Sequence, residues 1–385
     1  MERVESGTTY TGTEGLPRVD PGWLARLSPG WFGAVMGTGI IAVIAAEDPG
    51  HIASLNASMR DTAYAVAALA ALLAVLLIVP YLLRWIIYPA RSWASLKDPQ
   101  SGPLHGTVPG GVLVLSVVAA AVGPRVLSSG ATATLIEVLD GVGIPLALVI
   151  SILFAYLLFT LDHHDRQEVN GGWFIPPVVT IIVPVVLIPL MRLVGASGAR
   201  LLLFTSYSFL GVGLILFVLV LAMLHDRMVT QPLPAATMAP SLWIVLGPAG
   251  VGAAALLDLA HVARMVLGPA AQAIGPLSMI GATLLWGFGG WSLLVALALL
   301  GRYLRQGGIP YGVGWWGFTF PVGALTVATV SLGKIWTLPI IGDVAFALFV
   351  LLVVLWLGVS ASTLGSLLGG RRQLPATIAA PSSTK

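Results

Sequence analysis

Few residues of this chain are equipped to do chemistry. Asp258 and His261 stand three apart, which puts a carboxylate and an imidazole on one face of a helix, where they could couple a proton to a transported solute. The same spacing also arises at a solvated helix end or in a helix–helix pair. Asp140, Lys334 and Asp343 fall near the expected ends of apolar runs and carry the same two readings. Asp162, His163, His164 and Asp165 form a compact polar cluster, but adjacent histidines point apart, so the cluster reads as a wet loop rather than a metal site. There is no cysteine, which excludes disulfides and thiolate ligands or nucleophiles. No HExxH, nucleophile elbow or paired-carboxylate motif occurs. Gly37-Thr38-Gly39 lacks the strand–turn–helix setting and the following lysine of a nucleotide loop. No cofactor or metal is expected, and the chain does not read as an enzyme.

What remains is backbone. No lysine or arginine falls in the middle of an apolar run, so an anion would have to be held by freed N–H groups at helix N-termini. Gly and Pro gather where such groups would arise. Gly37, Thr38 and Gly39 lie in the first apolar run, Thr107 and Pro109 in the third, Pro177 in the fifth, and Gly247 and Pro248 in the seventh. Proline within a helix removes a donor and kinks it. Such breaks survive in a bilayer only where protein or a water-lined cavity satisfies them. These residues are the pore-lining candidates; the alternative is that Gly and Pro simply allow close helix packing.

The elements that must position them are membrane helices. Only 9% of the 385 residues are charged and 57% are hydrophobic, against about 25% charged in a soluble domain. Apolar runs long enough to cross a bilayer recur, and the alternation of barrel strands is missing. Ten spans are expected near 30–48, 60–83, 107–126, 137–161, 172–194, 200–224, 240–264, 275–301, 314–334 and 341–367. Residues 30–367 thus read as one all-α membrane domain. Residues 1–29 precede it with no cleavable signal peptide, and a tail, 368–385, reads as disordered. The breakers mark the odd spans as an inner ring and the even spans as an outer one. With ten spans both termini share a side. That side and its loops carry thirteen of the 19 basic residues, which predicts cytoplasmic termini in an inner (plasma) membrane. The net charge of +3 is too small and scattered for a nucleic-acid partner.

Five segments, in order on the five odd spans, carry a family resemblance. They are Pro29-Gly-Trp-Phe-Gly-Ala-Val-Met-Gly-Thr-Gly-Ile40, Gly106-Thr-Val-Pro-Gly-Gly111, Trp173-Phe-Ile-Pro-Pro177, Ala239-Pro-Ser-Leu-Trp-Ile-Val-Leu-Gly-Pro248 and Trp315-Trp-Gly-Phe-Thr-Phe-Pro321. Together they resemble the tellurite-resistance/dicarboxylate transporter family, which includes fungal malic acid transporters, yeast sulfite efflux pumps and plant slow anion channels. The resemblance implies five helical hairpins around a pseudo-five-fold central pore, a homotrimer with one pore per subunit, and a phenylalanine gate on the ninth helix. The matching residue is Phe320, between Thr319 and Pro321. It also implies small anions as substrates, with a C4-dicarboxylate such as malate as the first expectation and sulfite, nitrate or halide as the alternative. Two departures weaken malate: Lys97-Asp98-Pro99 stands where fungal members tend to carry His-Pro, and Pro109-Gly110-Gly111 where they often carry Pro-Met-Gly.

Overall fold

Ten long helices account for almost all the regular structure in the computed structural model, which describes residues 22–47, 56–160 and 165–368. Among the described residues there is no β-strand. The helices are α1 Phe32–Ala46, α2 Asn56–Ile87, α3 Thr107–Val126, α4 Ser129–Thr160, α5 Ile175–Met191, α6 Ala196–Thr230, α7 Leu246–Leu267, α8 Ile274–Arg305, α9 Thr319–Trp336 and α10 Pro339–Leu368. All ten spans are apolar and long enough to cross a membrane. A short helix, Pro89–Lys97, follows α2. Asp162, His163 and His164 of the polar cluster, the tail and most of the N-terminal segment lie outside the described residues.

Burial separates the spans into two sets. The odd spans are 72–89% buried over their apolar windows and the even spans only 11–28%. The even helices turn rows of large apolar side chains outward, such as Leu72, Val75, Leu76, Val79 and Ile86 on α2. Lipid can cover that surface; water could not without a heavy cost in exposed apolar area. Each odd helix packs against the even helix that follows it. The odd helices also touch one another in a closed cycle, α1 to α3, α3 to α5, α5 to α7, α7 to α9 and α9 back to α1.

Small residues permit this inner packing. A side chain at Gly250 of α7 would land on the backbone of Ala324 and Leu325 in α9, and one at Gly39 would stand 2.7 Å from Val114 of α3. Without a hydrophobic drive between helices in lipid, close backbone approach of this kind is what holds them together.

The prolines act differently from the expectation of mid-span kinks. Pro109, Pro176, Pro177, Pro248 and Pro321 all fall in the first turn of their α-helices. There the missing N–H has no intrahelical partner to lose, so proline starts a helix rather than breaking it. Before each odd helix, adjoining it or two residues away, lies a 3-10 segment: Pro29–Trp31, Pro103–Gly106, Gly171–Phe174, Ala236–Trp243 and Val313–Phe318. Each odd span therefore changes helical pitch near its N-terminal end. Other prolines do lie inside helices: Pro184 and Pro189 in α5, Pro124 near the end of α3, Pro80 in α2 and Pro145 in α4.

Candidate functional site

The N-terminal ends of all five odd spans meet at one cavity of about 330 Å³. The first span contributes Gly30, Gly33 and Met36, the third Leu104 and Thr107, and the fifth Gly172, Ile175 and Val178. The seventh adds Pro240, Ser241 and Ile244, and the ninth Trp316, Gly317, Phe320 and Pro321. Local bonds fix these ends. Ser28 Oγ accepts from Gly30 N–H at 3.1 Å, and Asn170 Oδ1 from Gly172 N–H at 2.8 Å. Thr107 Oγ1 donates to Pro29 O at 2.6 Å, tying the third span to the first. Gly171 lies so close to the Ser241 carbonyl that no side chain fits there.

Electrostatically the cavity is unusual for its lack of a cation. Among the described residues that line it, none is lysine or arginine, and the one carboxylate is Asp98. Five helix N-termini point their N–H groups and the positive ends of their dipoles this way. The Asp98 carboxylate is occupied locally: Oδ1 accepts from Gln100 N–H at 3.2 Å and Oδ2 from the Ser101 hydroxyl at 2.8 Å. From there a polar chain runs into the protein. Ser101 and Ser95 hydroxyls lie 3.4 Å apart, Ser95 Oγ is 3.2 Å from His105 Nε2, and His105 Nδ1 is 3.0 Å from the Tyr81 hydroxyl. His105 is fully buried, so this chain satisfies both ring nitrogens. No local spacing in the sequence joins Asp98 and His105 to Tyr81, because the contacts that connect them cross a helix and a loop.

Phe320 is buried on the cavity wall, in the first turn of α9. Its neighbour on α7 is Gly247: a Cβ at that position would lie 4.0 Å from Phe320 Cε1. Thr319, beside it, is fully buried and donates its hydroxyl to Trp316 O at 2.8 Å.

The other candidates are distributed as follows. Thr107 and Pro321 line the cavity with Phe320. Gly37 lies against Thr319, where no side chain would fit, and Gly39 against α3. The Thr38 hydroxyl accepts from Trp356 Nε1 of the outer helix α10 at 3.0 Å, so it points away from the inner ring. Pro109, Pro177 and Pro248 are buried in first turns, and the Pro177 carbonyl lies against Gly213 of α6. Asp258 is half-buried and His261 exposed. Asp140 is buried about a third of the way along α4, rather than at a helix end, with its carboxylate toward Ser116 of α3. At the opposite ends of the inner helices, Lys334 of α9 pairs with Glu47, the residue after α1.

Residues 26–364 match the voltage-dependent anion channel family. An uncharacterized transporter of Methanocaldococcus jannaschii is 31% identical, over 84% of this chain and 89% of its own length. A sulfite efflux pump of Trichophyton rubrum is 25% identical over 89% of each chain. A malic acid transport protein of Schizosaccharomyces pombe is 20% identical over 58% of this chain and 52% of its own. These relatives are transporters or pumps and not enzymes.

Proposed function

This chain belongs to the voltage-dependent anion channel family, whose members its odd spans resemble, and we propose that it passes small anions along the axis of its five inner helices. Its general function is anion transport across a membrane by a bundle of membrane-spanning helices, not catalysis. The observation that carries the specific route is the convergence of five helix N-termini, one from each inner span, on a single cavity without a lysine or arginine among its described lining residues. Backbone dipoles attract an anion there, and the absence of a fixed cation lets it leave again.

The pairwise helix contacts support five hairpins arranged about a pseudo-five-fold axis, with residues 30–367 as the transport domain. Phe320 is the constriction: it is buried on the cavity wall, and a side chain at residue 247 would come into van der Waals contact with its ring. Thr107, Thr319 and Pro321 shape the same passage, with Gly37 and Gly247 leaving space for neighbouring side chains and Pro248 starting α7 beside them. The cavity faces the cytoplasm if the basic residues orient the chain as expected, with both termini inside. The homotrimer implied by the family resemblance would bury part of the exposed apolar surface of the outer helices.

The substrate class is small inorganic anions of the sulfite, nitrate and halide type, ahead of the C4-dicarboxylate that the family resemblance implies first. A malate dianion calls for paired cationic partners. Here the described lining residues offer none, and Asp98 adds a negative charge. The sulfite pump also matches across more of the chain than the malic acid transporter.

Liposomes carrying the purified protein test this directly. Chloride, nitrate and sulfite fluxes should exceed malate flux by about tenfold or more. Faster malate flux would reverse the substrate class, and a bilayer no more permeable to any of the four than an empty one would overturn the reading as a whole.

A further inference from the structure

We infer that Lys334 is an anion-contacting residue at the far mouth of this pathway, held there in competition with Glu47. The inference rests on the route proposed above. Lys334 and Glu47 form an ion pair whose side chains remain 50% and 47% exposed. Asp258 of α7 lies within electrostatic reach of both. Since α9 packs between α1 and α7, one lysine is flanked by a carboxylate from each neighbouring inner helix.

Helix register puts the three charges at one level. Gly250 of α7 lies against Ala324 and Leu325 of α9; eight residues on from Gly250 and Leu325 come Asp258 and Gly333, the neighbour of Lys334. Gly323 of α9 lies against Ile40 of α1, and Glu47 follows two helical turns later. Lys334 starts about one turn beyond Glu47, and a helical side chain leans toward its own N-terminus, which brings the ammonium back to the carboxylate.

This end of the ring is hostile to an anion. Five helix C-termini present the negative ends of their dipoles; Arg125, Arg192 and Arg264 offset those of α3, α5 and α7, while Glu47 and Asp258 add two carboxylates beside α9. Lys334 offsets these two carboxylates. An ammonium has three donors, so the bond to Glu47 leaves capacity for a passing anion, and half exposure leaves it reachable. A lysine fully committed to Glu47 would be only a helix tie; a lysine shared with the permeant ion sets the exit rate.

Full-length protein in liposomes distinguishes the two, with chloride and nitrate as probes. Glu47→Gln should raise flux about two- to five-fold, the span set by releasing a partly exposed ion pair. Lys334→Gln should lower it comparably and flatten its dependence on ionic strength. Lys334→Arg should keep the parental flux, and the Glu47→Gln/Lys334→Gln double variant should match Lys334→Gln, because no lysine remains to release. Equal losses of flux and melting temperature in both single variants would mark a structural tie and overturn the inference, as would no change in either. If the parent carries no anion the route itself fails; if it does and the variants do not differ, only the role of Lys334 fails.

Discussion

Phe320 and Gly247 face each other from adjacent inner helices, close enough that a side chain on residue 247 would touch the phenylalanine ring. A Cβ on residue 247 would already stand 3.3 Å from Val178 Cγ2 and 4.0 Å from Phe320 Cε1. Phe320→Ala should therefore open the passage and raise chloride flux several-fold. Its stability loss should fall below the about 3–5 kcal/mol typical of a buried phenylalanine, since one side of the ring faces the cavity. Gly247→Leu should close the passage, and Phe320→Ala in that background should restore part of the flux. Unchanged flux in Phe320→Ala would remove it as the constriction.

Glycines of the inner packing and of the outer surface should respond in opposite ways. Gly171→Ala and Gly250→Ala each drive a methyl into backbone, of Ser241 and of Ala324, and should cost about 3 kcal/mol or abolish folding. Gly211, inside α6 with open space around it, should gain up to about 1 kcal/mol as alanine. Melting temperatures in detergent order the three.

How much of this was visible in the sequence follows from what sequence patterns encode. Charge scarcity and run length mark the ten spans, and Gly and Pro density marks the odd ones, because close packing and helix starts both demand those residue types. The facing of individual side chains is another matter. α1 is buried on nearly every side, so no hydrophobic stripe orients it, and Thr38 could be assigned inward as readily as toward Trp356. The prolines look like breakers until the 3-10 segments before them place them in first turns. Glu47 and Lys334 meet across 287 residues, a pairing no local spacing announces.

Thr38 offers a clean separation of packing from transport. If its hydroxyl serves the Trp356 indole, Thr38→Val and Trp356→Phe should each cost about 1 kcal/mol and leave flux alone. Their double variant should reveal a coupling of about 0.6 kcal/mol, the usual size inside a membrane. A flux change in Thr38→Val at unaltered stability would return Thr38 to the pathway.

Asp98 sets the charge at the cavity. Asp98→Asn keeps an oxygen acceptor for Gln100 N–H, replaces the acceptor for the Ser101 hydroxyl by an amide donor, and removes the negative charge. Anion flux should rise about two- to five-fold at low salt, and the gain should shrink near 1 M salt, where the Debye length is about 3 Å. A gain that persists at high salt would point to altered packing instead.

The central claim is that anions travel through the cavity where the five inner helices begin. Because the chain has no cysteine, a single one can be introduced without background. Ser241→Cys places a thiol on the cavity wall, and Leu76→Cys places one on the exposed face of α2. Flux is then measured before and after a charged methanethiosulfonate reagent. Modification at residue 241 should block chloride flux, with permeant anion slowing the reaction, while modification at residue 76 should leave flux intact. Full flux through a protein completely modified at residue 241 would contradict the account.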